Sequence, residues 1–209
     1  MQTLRELLIE KARLNIREDD PAHDIDHALR VLSNAEYLVR FEGGDLEVII
    51  PAALFHDVVT YSKDDPRSKS AAEESAVVVR KIMQGISCYP QEKVRRVETA
   101  IREHAYSAGI RPESLDSKIV QDADRLEATG AIAIMRTFCS TGQMKRKFYN
   151  PEDPFCEKRM PDNYALDLFY KRLLKVTDVM NTKTAKKLAE KRTRFLYTFL
   201  EQVREEIVV

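Results

Sequence analysis

The chain has 209 residues, long enough for one domain with a full hydrophobic core. Lysine plus arginine and aspartate plus glutamate each number 34, and this zero formal net charge argues against a nucleic-acid coat or a membrane-surface protein. Three scattered cysteines, Cys88, Cys139 and Cys156, form no CxxC pair, which argues against a disulfide framework or a thiolate zinc site and for a reducing compartment.

In chain order, the apolar spacing predicts helices over 2–16, 26–41, 46–57, 68–85, 91–106, 113–123, 124–140, 162–180 and 183–206. Leu4, Leu7, Leu8 and Ala12 set the pattern in the first, and Val31, Ala35, Leu38 and Val39 repeat it in the second. The opening stretch MQTLRELLIEKARL carries charges every few residues, unlike a signal peptide, and no apolar run approaches the ~18 residues of a membrane span. The expectation is an all-α cytoplasmic protein with no membrane partner and no stable nucleic-acid binding, free to form oligomers. Gly43-Gly44 closes the second helix, Pro90 and Pro112 suit first turns, and Asp162 is placed to cap a late helix. Pro51 falls inside the third helix and should kink it unless the helix begins there. The least helical stretch, 141–161, contains three prolines and reads either as a surface loop or as a lid over a site.

The chain has four histidines, and two of them, His23 and His27, are four residues apart in AHDIDHALRV. His56 follows the apolar run IIPAALF and is itself followed by Asp57, while His104 lies in AIREHAYS. A carboxylate at the end of a buried helix is costly without a partner, and a divalent cation would compensate it. Asp122 and Asp124 in IVQDADRLEATG stand beside another apolar helix. Imidazole nitrogens together with carboxylate oxygens suit Mn²⁺, Fe²⁺, Co²⁺ or Ni²⁺ better than thiolate-seeking ions.

His27, then His56-Asp57, then Asp124 has the order H…HD…D and resembles the HD superfamily of metal-dependent phosphohydrolases. One bacterial branch is more similar still. It carries HDxxHxxRV, here His23 to Val31, and an ESA helix, here Glu74-Ser75-Ala76. It also carries H-x-[FY]-S, here His104 to Ser107, and DADRLEATGA, here Asp122 to Ala131. Its C-terminal pattern is resembled by Arg172-Leu173-Leu174, Met180-Asn181-Thr182, Ala189 and Arg192. The resemblance covers nearly the whole chain. It implies an HD-domain helical bundle, so the chain reads as a single HD domain over 1–209, with 141–161 as the candidate lid loop and the 162–206 helices packed on the bundle. It also implies one divalent metal ion, Mn²⁺ or Fe²⁺ first and Mg²⁺, Co²⁺ or Ni²⁺ also compatible, held by His27, His56, Asp57 and Asp124. HD proteins use the aspartate of the A-D-R-L segment, which is Asp124, with Asp122 as the alternative.

His23 has three readings. With His27 it resembles the HExxH pair of zincin proteases, although the segment straddles a helix start. Alternatively it hydrogen-bonds its own loop while Asp24 or Asp26 caps the helix, or it faces substrate phosphate. His104 reads as a proton donor or phosphate contact, or else as a core histidine. The candidate catalytic residues are His104, Asp57 and Glu74. The candidate phosphate-binding residues are His23, Arg30, Arg125, Lys175 and Lys183. The branch implies hydrolysis of nucleoside triphosphates to monophosphate and pyrophosphate, with a small phosphorylated substrate, a nucleotide, as partner. Monophosphatase, phosphodiesterase and a non-catalytic binding module are the alternatives. Tyr61, Tyr106, Phe148 and Tyr149 are available to stack a base or to anchor loops.

Overall fold

The computed structural model describes residues 2–17, 20–61, 65–105, 109–158 and 163–207. Among these residues the secondary structure is entirely helical, in nine α-helices joined by short 3-10 turns, as the apolar spacing predicts. Among the described residues no helix is long and apolar enough to cross a membrane. The chain forms two compact units, Met1–Asp124 and Arg125–Val209.

In the first unit, α1 (Leu4–Asn15) begins with a reciprocal capping box between Thr3 and Glu6. Asp24 caps α2 (Ile25–Glu42), and Gly43, at φ 81, ends it by donating its N–H to the Val39 carbonyl. Gly44, at φ 110, continues the turn where a β-carbon would lie 2.7 Å from Ile49 Cδ1. Asp45 then caps α3 (Leu46–Phe55). Val48, Ile49, Ala52, Ala53, Leu54 and Phe55 of α3 are all buried, so beyond its first turn this helix is apolar on every side. A helix of that kind belongs in the centre, and α3 packs against α1, α2 and α5. The residues that end it are therefore delivered into the interior.

Pro51 lies inside α3 rather than at its start. Its ring removes the N–H that would bond the Glu47 carbonyl four residues back. The buried Tyr89 hydroxyl donates to that carbonyl instead, at 2.8 Å. Burial and the nearby Asp45 and Glu47 carboxylates push the phenol's pKa up, which keeps it protonated as a donor. The first turn of α3 is also pinned by charge. Lys93 and Arg96 pair with Asp45, and Arg96 pairs with Asp116.

α4 (Ala71–Gln84) and α5 (Val94–His104) pack side by side, and the buried Glu98 of α5 meets Arg80 and Arg102. α6 (Leu115–Arg125) starts after Ser114, whose hydroxyl accepts the Ser117 N–H, and not at Pro112. It continues through Asp124 into a 3-10 turn over Leu126–Ala128. Asp124 thus closes one helix, where the sequence pattern has it open the next.

The second unit contains α7 (Gly130–Gln143), α8 (Ala165–Lys171) and α9 (Lys183–Ile207). Gly130 has φ 68, and a β-carbon there would meet Arg192 Cβ of α9 at 3.2 Å. Ala133, Leu166, Phe169, Leu173, Leu196 and Leu200 form the core of this unit, with Phe169 stacked on Phe199. The helix expected over 162–180 is two pieces. α8 stops at Arg172 (φ −130, ψ −60), and a 3-10 stretch over Leu173–Val179 follows. Tyr164 and Asp167 make the entry to α8, while the expected cap, Asp162, lies outside the described residues.

The stretch expected as a loop over 141–161 begins later than predicted, because α7 runs through Gln143. The Lys147 and Phe148 carbonyls accept N–H groups from Ala165 and Leu166. Tyr149 and Phe155 pack against the unit's core, and the Arg204 guanidinium lies 4.1 Å over the Phe155 ring. Residues 159–161 lie outside the described residues.

Candidate metal centre

Three helix ends of the first unit bring its imidazoles together. His27 is the third residue of α2, and its N–H is accepted by the Asp24 carboxylate at 2.8 Å. That is the ordinary N-cap bond, so Asp24 sets the backbone from which the His27 ring projects inward. His56 is the capping residue that follows the last residue of α3, and its Nδ1 is 2.9 Å from the Ala53 carbonyl. His104 ends α5 with its Nδ1 2.5 Å from the Ile101 carbonyl. A carbonyl only accepts, so in both rings Nδ1 carries a proton and Nε2 is the atom that faces the cluster. The three rings are 1, 1 and 4% exposed.

Their Nε2 atoms converge with two carboxylates. His27 Nε2 is 3.2 Å from His56 Nε2, and Asp57 Oδ2 is 3.3 Å from His56 Nε2 and 3.9 Å from His27 Nε2. Asp124 Oδ1 lies 3.7 and 3.8 Å from the same two nitrogens. His104 Nε2 is 3.4 Å from the other oxygen of Asp57. Among the described residues two donor groups are close enough to share an ion: His27, His56 and Asp57, and His56, His104 and Asp124. Asp57 and Asp124 are the side chains of the cluster with a solvent-facing part, at 26 and 20% exposed.

The electrostatics match a cation site. Burial disfavours a charged His56, but the Asp57 and Asp124 carboxylates outweigh it and raise its pKa to about 9. Burial alone would raise the Asp57 pKa, yet His56 and His104 hold it well below the usual carboxylate range. Asp124 is lowered against its own burial by His56 and His27, with Asp57 opposing. Two buried imidazole nitrogens aimed at each other among ionised carboxylates are held together by positive charge, supplied by a proton or by a metal ion. The donor set of nitrogen and oxygen, without sulfur, fits a divalent ion of borderline hardness.

Asp122 is fully buried, two residues before Asp124, and is in neither converging group. His23 precedes the cap of α2, and its Nδ1 is bound 2.7 Å from Asp20 Oδ2 while its ring stacks edge-on against His27. It is in neither donor group, so the pair is not presented from one helix face as an HExxH site requires. Arg30 is half-buried on α2, one turn beyond His27. Glu74, in the first part of α4, accepts hydrogen bonds from the Tyr61 and Ser70 hydroxyls. Arg125, Lys175 and Lys183 belong to the second unit. Arg125 donates to the Val179 carbonyl, and Lys175 and Lys183 are exposed on the 3-10 stretch and at the start of α9. Tyr61 carries the Arg67 guanidinium over its ring, Tyr149 is a loop anchor, and Tyr106 lies outside the described residues. Sequence reasoning missed Asp20 as the partner of His23, although an aspartate three residues before a loop histidine is a legible signal.

The HD domain family matches residues 24–129, a span that contains the whole donor set. YpgQ, an uncharacterised protein of Bacillus subtilis, is 31% identical over 194 residues, covering 92% of this chain and 88% of the relative. The solved structure of Bacillus subtilis YpgQ in complex with ADP superposes with a TM-score of 0.73 at 28% identity, over 97% of each chain. The Lin1889 protein of Listeria innocua gives a TM-score of 0.74 at 31% identity, over 99% of each chain. An HD-superfamily hydrolase from Bacillus thuringiensis gives 0.70 at 32% identity, over 97% of this chain and 95% of its own.

Proposed function

The chain belongs to the HD domain family, and on that premise we propose that it is a metal-dependent phosphohydrolase cleaving nucleoside triphosphates, ribo or deoxy, to monophosphate and pyrophosphate. The observation that carries the reading is the buried convergence of His27, His56, Asp57 and Asp124. The nucleotide class is supported by the ADP complex of a relative that aligns with 92% of this chain. The choice of the α-phosphorus rests on the similarity of HDxxHxxRV and DADRLEATGA to the pyrophosphohydrolase branch.

His27, His56, Asp57 and Asp124 would hold the ion. When bound, a divalent ion supplies Lewis acidity to a phosphoryl oxygen and a water acidic enough to react near neutral pH. The chain's own groups do the rest. Substrate meets the cluster from the side of Asp57 and Asp124, whose carboxylates reach solvent. Hydrogen-bonded by Nδ1 to Ile101, His104 presents Nε2 as the group that takes a proton from the attacking water and returns it to the leaving pyrophosphate. Asp57, 3.4 Å away, stabilises the imidazolium formed in between. Arg30 and His23, both on or next to the first turns of α2, supply positive charge and a hydrogen bond for the phosphate chain.

The test is hydrolysis of a panel of nucleoside tri- and monophosphates by protein reloaded with Mn²⁺, with products separated by chromatography and Asp57→Ala as control. Monophosphate plus pyrophosphate, lost in the variant, is the expected result. Free phosphate from monophosphates would replace this reading with a nucleotidase. Metal binding without turnover of any member of the panel would replace it with a binding module.

A further inference from the structure

We propose that Glu74 and Ser75 are positioning residues for the His56-Asp57 pair, clamping the segment 59–61 that leaves it; the inference rests on the cluster being a metal centre. The two donors sit at a turn beyond the last residue of α3, where helical hydrogen bonding has ended. The segment's own backbone contributes one turn bond there, from the Val58 N–H to the Phe55 carbonyl.

Two consecutive side chains of α4 grip the chain just beyond. Ser75 is fully buried, and its hydroxyl accepts the Val59 N–H at 3.1 Å and donates to the Val59 carbonyl at 3.3 Å. A serine inside a helix ordinarily turns back to its own helix's carbonyls. Here the single hydroxyl satisfies both backbone groups of one residue in another segment. Glu74 holds the phenol of Tyr61, two residues on, at 2.5 Å, and its other oxygen is fixed by Ser70 at 2.6 Å. The Arg67 guanidinium, 4.5 Å from the centre of the Tyr61 ring, rests against the same residue.

Ser75 holds the backbone of Val59 and Glu74 the side chain of Tyr61, so the segment is held at two points two residues apart. Asp57, two residues upstream of Val59, has its oxygens 3.3 Å from His56 and 3.4 Å from His104. Freeing the segment lets the Asp57 carboxylate rotate away from both. Glu74 is therefore assigned to holding the donor pair in place rather than to proton transfer.

The experiment measures Co²⁺ affinity and the visible Co²⁺ spectrum of the full chain, beside melting of the metal-free protein, for Ser75→Ala, Tyr61→Phe and Glu74→Gln. Ser75→Ala is expected to weaken Co²⁺ binding by about tenfold or more and to change the spectrum, the scale typical of losing a group that orients a metal ligand. Tyr61→Phe keeps the ring under Arg67 and should weaken binding by a few-fold. Tyr61→Phe combined with Glu74→Gln should be no worse than the worse single variant, because both act on the same Tyr61–Glu74 hydrogen bond. Lower melting with affinity and spectrum unchanged would overturn the proposal. Should Ser75→Ala fail to fold, the half-buried Tyr61→Phe decides by the same criterion. Failure of the unmodified chain to bind Co²⁺ would instead overturn the metal-centre reading, and the clamp with it.

Discussion

Raising the pH should strip a proton from the buried His56 ring, and the structure sets how much this matters. Burial opposes its charge, but Asp57 and Asp124 lift its pKa to about 9 from an ordinary 6.5. That gap corresponds to ~3 kcal/mol between the two protonation states. Because the folded value is the higher one, the group stabilises the metal-free protein fully below pH 6.5, and the contribution is lost as pH rises through 9. Metal binding runs the other way. The ion needs the Nε2 lone pair, so it displaces that proton, and affinity should rise about tenfold per pH unit up to about pH 8 and roughly fiftyfold from pH 7 to 9. Calorimetric titration with Co²⁺ at pH 7.5, in two buffers of different ionisation enthalpy, counts the protons released, and one per ion is expected. Melting of the metal-free protein should fall between pH 6.5 and 9. Affinity flat over pH 7–9 with no proton released would show that His56 is neutral before the ion arrives, and the electrostatic account of the cluster would be wrong.

His27→Ala should abolish tight metal binding while His23→Ala leaves affinity within a few-fold, since His23 is in neither donor group and its Nδ1 is held by Asp20; equal losses would revive the HExxH arrangement. Tyr89→Phe should cost about 1–2 kcal/mol in chemical denaturation by orphaning the Glu47 carbonyl. Made in a Pro51→Ala background, where residue 51 regains its N–H, the same change should cost markedly less, and an undiminished cost would refute the compensation. Gly44→Ala should destabilise by about 1–3 kcal/mol, because φ 110 is a conformation L-residues avoid; a neutral effect on the melting temperature would show that the turn relaxes.

The all-α architecture was legible because the segments repeat apolar residues at helical spacing, and α3 could be read as central from IIPAALF alone. The donors His27, His56, Asp57 and Asp124 were legible for a different reason. His56-Asp57 and Asp124 stand beside apolar runs, where burial without a partner would be costly, while His27 and the preference for Asp124 over Asp122 come from the resemblance of H…HD…D to the HD superfamily. What brings His104 among them was not legible, since it depends on how α5 packs against α3. Tyr89 was invisible for the same reason: its carbonyl partner is 42 positions away. The break at Arg172 carries no glycine or proline to announce it, so 162–180 read as one helix. Substrate-binding cations are the least legible, because lysines and arginines on solvated helix faces look alike in sequence whether or not they meet a phosphate.

The donors come from the start of α2, the end of α3 and the end of α6, with His27 and His56 separated by 29 positions and Asp124 far beyond both. An unfolded chain offers an ion little more than the adjacent His56-Asp57 pair, whereas the folded chain offers the full set. An ion held by that set would act as a reversible cross-link across the first unit, worth about 2.7 kcal/mol when free metal is a hundredfold above its dissociation constant. On the proposed metal-dependent reading, chelation would then expose the polypeptide to proteases as well as silence its chemistry, so scarcity of the ion would shorten the protein's lifetime along with its turnover.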